Sequence, residues 1–350
     1  MPRVFFSGLL DCLALGTAGP RRGNRLSGLL LALLLGTGCS PQRGDPARAA
    51  APLGTGHFEG SVRLKEGSAA SFKLVLELRH PRAGHYEAEV LAPTRPGLSF
   101  VADSVDFQAP TLRLTRPGQP SQRLALTREG DFWRGTLTLD SAQAPVLLLR
   151  RGTPAPATYR VSRLREPALG AGPLLFAPAD ETMAGPALAL LPAPQHAALA
   201  LRWADALARA GVIVLLLPPP ADTAADLLAA QAALRQLRAT PGADTARLGV
   251  WATAGRAASL AAGLPGAGPP QPNFLVLQQL ANSRALRPSL RQLPAARSVL
   301  GLYDEEAPGS RRASAALRAA LPQRQGHRVR VVPAAAAGAA VADWLSPAGD

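Results

Sequence analysis

The sequence predicts an α/β protein: a doubly wound, mostly parallel sheet preceded by a small antiparallel all-β domain. Three observations predict it. Residues 57 to about 150 alternate apolar and polar side chains with the period of two that half-buried strands require. From about Leu174 the rhythm changes to short continuous apolar runs separated by amphipathic segments, as buried strands joined by helices demand. A chain of 350 residues is also too long for one ordinary core, so two are expected.

The first element is a targeting region, residues 1–39. Within it Arg21 to Ser40 read RRGNRLSGLLLALLLGTGCS: a basic stretch, an apolar run too short to span a bilayer, and small residues before a cysteine. This resembles a bacterial lipoprotein signal peptide, with Gly38, Cys39 and Ser40 at the cleavage site and Gly36 where a leucine is usual. The resemblance implies lipidation at Cys39, membrane attachment through that anchor, and export to the periplasm or outer membrane. Cys12 and Cys39 are the only cysteines, so the body of the protein offers neither a disulfide nor a thiolate metal site. Residues 40–56 are rich in Pro, Gly and Ala without periodicity, which predicts a linker.

Residues 57–165 then supply the antiparallel β domain. HFEGSVRL, SFKLVLELR, HYEAEVLA, SFVADSVDF, TLRLT, QRLALT, FWRGTLTL and PVLLLRR alternate, and turn clusters such as HPRAG, RPGQPS and REGD divide them. Strands of this length and spacing predict a small sandwich or barrel. Gly60 and Gly135 fall inside strands, where close packing or a bulge is the usual cause. Phe58 and Trp133 read as core aromatics, and His57, His80 and His85 as solvated histidines without metal-ligand spacing.

Residues 172–346 follow with LLFAP and PALALLP as strands, HAALALRWADALARAG as a helix closed by Gly211, and VIVLLLP as a strand. TAADLLAAQAALRQLRA is a helix, RLGVWA, NFLVLQQ and RSVLGLYD are strands, ASAALRAAL is a helix, HRVRVVP a strand and AAVADWL a closing helix. The stretch from Trp203 to Ala262, with Asp244, Arg247, Leu248, Gly249 and Val250 forming D-x-x-R-L-G-V, resembles α/β-hydrolases of the dienelactone-hydrolase and serine-aminopeptidase type. Enzymes of that type carry G-x-S-x-G on a strained strand-to-helix turn. Here Ala252-Thr253-Ala254-Gly255-Arg256 stand in its place, so the nucleophile position is Ala254, and Arg256 should crowd the turn. The acid position is Ala307, after Asp304, Glu305 and Glu306, and the histidine position is Ala337. Thr253, Asp304, Glu305 and His196 are the available substitutes, His196 reading as a solvent-facing helix-start residue. His327 precedes the last strand and should sit at the far end of the sheet.

A methyl group cannot attack a carbonyl, so the resemblance implies a hydrolase-like domain whose catalytic positions are degenerate and whose role is binding or scaffolding. An active ester or peptide hydrolase using Thr253 or Ser283 is the enzymatic alternative, and an envelope protein acting through its β domain is the structural one. No phosphate-binding loop, dinucleotide fingerprint or metal motif is present, so no cofactor or metal is expected. The net charge of +14 does not argue for nucleic acid. Lys65 and Lys73 are the only lysines, the arginines are scattered, mostly singly, and aromatics amount to 5%. The expected partner is a small molecule or an envelope protein.

Overall fold

The computed structural model describes residues 52–63, 71–140, 142–170, 172–219, 226–281, 283–323 and 326–346. The expectations for the signal region, Cys39 and most of the linker lie outside them. The alternating N-terminal segments form β1 (Gly56–Arg63), β2 (Ser71–Arg82), β3 (His85–Leu91), β4 (Phe100–Val101), β5 (Val105–Gln108), β6 (Thr111–Arg116), β7 (Gln119–Glu129), β8 (Phe132–Leu139) and β9 (Ala142–Gly152). They make one nine-stranded sheet in the order β4-β3-β2-β1-β9-β8-β7-β6-β5, with antiparallel pairing throughout. Its two edge strands, β4 and β5, are consecutive in the chain and only Ala102 to Ser104 separate them, so the sheet curls back on itself. The segment 99–107, expected as one strand, is therefore broken by its Asp-Ser turn and serves both edges. Alternate residues point into a shared core where Leu74, Leu76, Leu78, Leu112, Leu114, Leu124, Leu126 and Trp133 are buried.

Gly60 and Gly135 are explained by close backbone approach. A Cβ at Gly60 would lie 2.0 Å from the Leu147 carbonyl oxygen, and one at Gly135 would lie 1.9 Å from that of Ala125. No side chain fits either place.

The second sheet contains β10 (Tyr159–Arg163), β11 (Leu174–Pro178), β12 (Gly185–Leu191), β13 (Ile213–Leu216), β14 (Ala243–Thr253), β15 (Phe274–Gln278), β16 (Ser298–Asp304) and β17 (Arg328–Val332). Its order is β10-β11-β13-β12-β14-β15-β16-β17; β10 and β11 pair antiparallel, and the strands from β13 to β17 run parallel. Helices α1 (Ala197–Arg209), α2 (Asp226–Arg238), α3 (Gly255–Gly263), α4 (Arg287–Arg291), α5 (Ser310–Ala320) and α6 (Ala337–Leu345) cover it. Strand alternation sorts the core into two layers. Ala187, Ala189 and Leu191 face the layer containing α2, α3 and α5, while Leu188 and Leu190 face the one containing α1 and α6.

The fold class read from the sequence needs correction. The described residues are mostly antiparallel β, 43% strand against 27% helix, and the larger sheet is the curled nine-stranded one, so a doubly wound, mostly parallel sheet does not describe the fold. The strand–helix alternation of the C-terminal half dominated the sequence pattern. The N-terminal strands, up to 12 residues long in β2, form far more than a small accessory, and two antiparallel strands begin the second sheet as well.

A chain of polar contacts links the two sheets. The His57 ring lies 2.6 Å (Nδ1) from Glu77 and 2.8 Å (Nε2) from Glu59, and Lys73 donates to Glu59 at 2.6 Å. Glu77 also accepts the Ala155 N–H at 3.1 Å, in the connection between the sheets. Arg79 donates to the Ala155 carbonyl and, at 2.9 Å, to buried Glu89, which also accepts from Arg209 of α1 at 3.1 Å. Arg209 reaches Asp205, and Asp205 accepts the Tyr159 hydroxyl. His57 is thus not a free, solvated histidine. Hydrogen bonds to Glu59 and then Glu77 hold its pKa above the ordinary 6.5.

This sets a direction for pH dependence. A histidine whose folded pKa is raised stabilises the fold fully below about 6.5, and that contribution disappears as pH rises through the higher folded value. Melting temperature should therefore fall more steeply on the alkaline side of pH 6.5 in the native protein than in His57→Gln. Identical profiles in the two would sink the assignment.

Candidate functional site

The carboxyl end of β14 holds the features that the sequence singled out. Ala254 stands between β14 and α3 with φ 52° and ψ −124°, a left-handed conformation that a residue with a Cβ rarely adopts. Its N–H donates to the Gln278 carbonyl at 2.8 Å and its carbonyl accepts from Ala257 and Ala258. The sharp turn is thus fixed on both sides. Ala254 is half-buried and the following Gly255 is exposed. The turn has a strand-to-helix elbow form, and a methyl group occupies its apex.

Thr253 precedes it and is fully buried. Its hydroxyl accepts the Ala193 N–H at 2.7 Å and lies 3.0 Å from His196 Nδ1. Ala193 belongs to the loop after β12, and His196 is the residue before α1. Burial pushes the His196 pKa down, opposed by the charge of Asp304. The threonine hydroxyl bridges the Ala193 N–H and the His196 ring. The expectation of a solvent-facing His196 is corrected: the ring is half-buried, hydrogen-bonded, and 6.0 Å from the Trp203 ring.

Three of the four substitute residues therefore gather at one sheet edge. Asp304 ends β16, its carboxylate accepting the Glu306 N–H at 3.2 Å in a local turn, and it acts on His196 through charge alone. Glu305 is exposed, and only its backbone N–H is fixed, by Val332 O at 3.1 Å. Ala307 is half-buried in the following turn. Ala337 opens α6 and is completely buried. Next to it, a Cβ at Gly338 would come 2.9 Å from the Trp203 Cα, so the helix sits directly on α1. Ser283 is buried in the turn after β15 and bonds to no histidine or carboxylate among the described residues. His327 accepts the Val299 N–H at 3.1 Å at the opposite, amino end of β16.

Arg256 does not crowd the turn as the sequence suggested. Its side chain turns inward, 2% exposed, and donates to the Asp226 carboxylate at 2.7 Å and to the Pro192 carbonyl at 3.2 Å. It fastens the elbow helix to the start of α2 and to the loop after β12. Beneath the site Trp203 and Trp251 stack at 4.9 Å; Trp203 donates to the Ala334 carbonyl and Trp251 to the Gln278 side chain. Sequence reading missed this support because donors from the backbone of a loop and the partner of a tryptophan ring leave no local pattern.

Chemically, the 3.0 Å contact has the spacing of a nucleophile and its base. The hydroxyl is nonetheless sealed from solvent, and the Ala193 N–H that could meet an incoming oxygen is already bonded to it. The arrangement works as a clasp between the end of β14 and the loop after β12. Among the described residues, no group of three or more His, Cys, Asp and Glu could hold a metal ion, and no helix is long and apolar enough to cross a membrane.

No family model matches the chain, and no curated protein matches it. Among solved structures, a crystal structure of a mutant of the esterase rPPE is similar over 54% of this chain and 81% of that one, at 15% identity and a TM-score of 0.38. A likeness of that size carries no argument about chemistry.

Proposed function

We propose that this protein is a catalytically silent, hydrolase-like binding protein. The single observation behind this reading is Ala254, a methyl-bearing residue held at φ 52° where a strand-to-helix elbow would present its nucleophile. Ala307 and Ala337 in the places of acid and histidine support the same reading, as does the burial of Ala337, which leaves no room for an imidazole. On this reading the residues that remain serve architecture. Thr253 and His196 close the site from within, and Arg256 with Asp226 anchors it from below.

The test is turnover of short-chain p-nitrophenyl esters and aminoacyl p-nitroanilides by the purified protein. We expect none above buffer, and none in Ala254→Ser, since a serine without a base at position 337 gains little. The enzymatic alternative rests on the 3.0 Å Thr253–His196 contact. Turnover in the native protein that disappears in Thr253→Ala, with folding intact, would establish that alternative and end the silent-site reading.

Export and lipid anchoring at Cys39 belong to the same proposal, as does a division into a β domain and a hydrolase-like domain, with the boundary moved from 165 to before β10, which pairs with β11 in the second sheet. Their support is the sequence from Arg21 to Ser40 and the change of pattern near Leu174. Metabolic labelling with an alkyne fatty acid should mark the native chain and not Cys39→Ser. Equal labelling of both would remove the anchor from the proposal.

A further inference from the structure

A broad groove of about 1170 Å³ lies where the two sheets meet, away from Ala254, Thr253 and His196. Its lining comes from the Pro52–Thr55 segment, β2, β3, β7, β9, the connection Pro154–Ala157, β10 and Ala179 just after β11. Four arginines line it, Arg79, Arg128, Arg150 and Arg160, against one carboxylate, Glu87. Two of the four are neutralised: Arg79 by Glu89 and Arg160 by Glu181. Arg128 and Arg150 make no ion pair among the described residues. Arg128 donates only to the Gly130 carbonyl, at 3.2 Å.

Both guanidiniums are nevertheless positioned. A Cβ at Gly54 would lie 3.1 Å from Arg128, and one at Gly56 would lie 3.2 Å from the Arg150 Nε, so each packs against the extended segment that enters β1. Uncompensated guanidiniums held in a concave site create a field that favours oxyanions, and their planar forks match carboxylate or sulfate bidentately. On the same wall His80 and Tyr86 stack with ring centroids 4.4 Å apart and planes at 17°. An aromatic wall beside arginines suits a ring that is apolar on its faces and anionic at its edge. The groove is wide and open, with room for several such rings, and junctions between folded layers are where ligand sites concentrate. The chain's own segment 40–51, with Arg43 and Arg48 against Asp45, has the wrong charge to fill it.

We propose that this groove binds an acidic saccharide, its carboxylate or sulfate groups on Arg128 and Arg150 and its pyranose faces along the exposed His80 ring that Tyr86 backs. The proposal is independent of whether the Ala254 site turns over esters. The test is calorimetric titration of the full chain with a uronic-acid tetrasaccharide at about 20 and 200 mM salt, alongside Arg128→Gln/Arg150→Gln and Tyr86→Ala. We expect saturable binding, weaker at the higher salt because surface charges are screened. We expect about tenfold or greater loss in the double arginine variant, as for charge-assisted hydrogen bonds generally, with an unchanged melting temperature. Tyr86→Ala should weaken the saccharide but not inorganic phosphate. No binding by the native chain, equal binding by the double variant, or binding confined to phosphatidylglycerol vesicles would each overturn the proposal.

Discussion

Arg256→Gly, which restores the residue type that an open elbow carries, should cost about 3–5 kcal/mol of stability, the usual effect of breaking a buried ion pair by removing one partner. Both partners are nearly inaccessible, Arg256 at 2% and Asp226 at 1% side-chain exposure. Burial pulls the Arg256 pKa down and the Asp226 charge opposes that shift, so the carboxylate offsets part of the cost of holding the guanidinium inside. Removing the guanidinium takes the Arg256 ion pair from the buried carboxylate and also frees the Pro192 carbonyl, which sits in the loop leading to Ala193. The loss should show as a lower urea midpoint with a nearly unchanged slope. Arg256→Met combined with Asp226→Leu should recover most of it, because neither charge then remains to be desolvated. A stability change under about 1 kcal/mol in Arg256→Gly would mean that the pair is solvated and not part of the core.

This pair also marks what the sequence could and could not reveal. In the second sheet the strands from β11 onward were legible because most are continuous apolar runs, such as Val212 to Leu217, divided by helices whose buried stripes recur at helical spacing, whereas β10, a polar YRVSR stretch, was not read as a strand. Gly211 after α1 was legible too, and its φ of 82° explains the stop. The class of the whole chain was not, because a period of two reports strand character and says nothing of how many strands share one sheet or whether it curls. At the site, the place of Ala254 could be picked out from the sequence, and it stands at a strand-to-helix turn. The inward turn of Arg256 could not, since its partner Asp226 is thirty residues away on another helix. His196 was misread for the same reason: the residue that captures it, Thr253, is remote in sequence and met only through sheet packing.

Trp203→Ala should be the most damaging single truncation at the site, with an expected loss of about 3–5 kcal/mol. The side chain is fully buried, stacks on Trp251 and donates to the Ala334 carbonyl at 2.8 Å. It therefore joins α1, the sheet and the turn before α6, and its removal leaves both a cavity and an unpaired acceptor. Trp203→Phe should lose less, because one aromatic ring remains against Trp251 and the cavity is smaller, although the hydrogen bond goes. The substitution also changes a second observable. His196, half-buried 6.0 Å from this ring, has a lowered pKa because burial disfavours its charged form. A histidine with a depressed folded pKa binds fewer protons than the unfolded chain between that value and about 6.5, so it makes stability rise with pH across this window. Opening the Trp203 cavity should let water reach the ring and flatten that rise, while Trp203→Phe should retain it. If Trp203→Ala instead melts like the native protein and keeps the same pH slope, α1 and α6 are not held together through this residue. The closed, substrate-free reading of the site would then lose its main structural support.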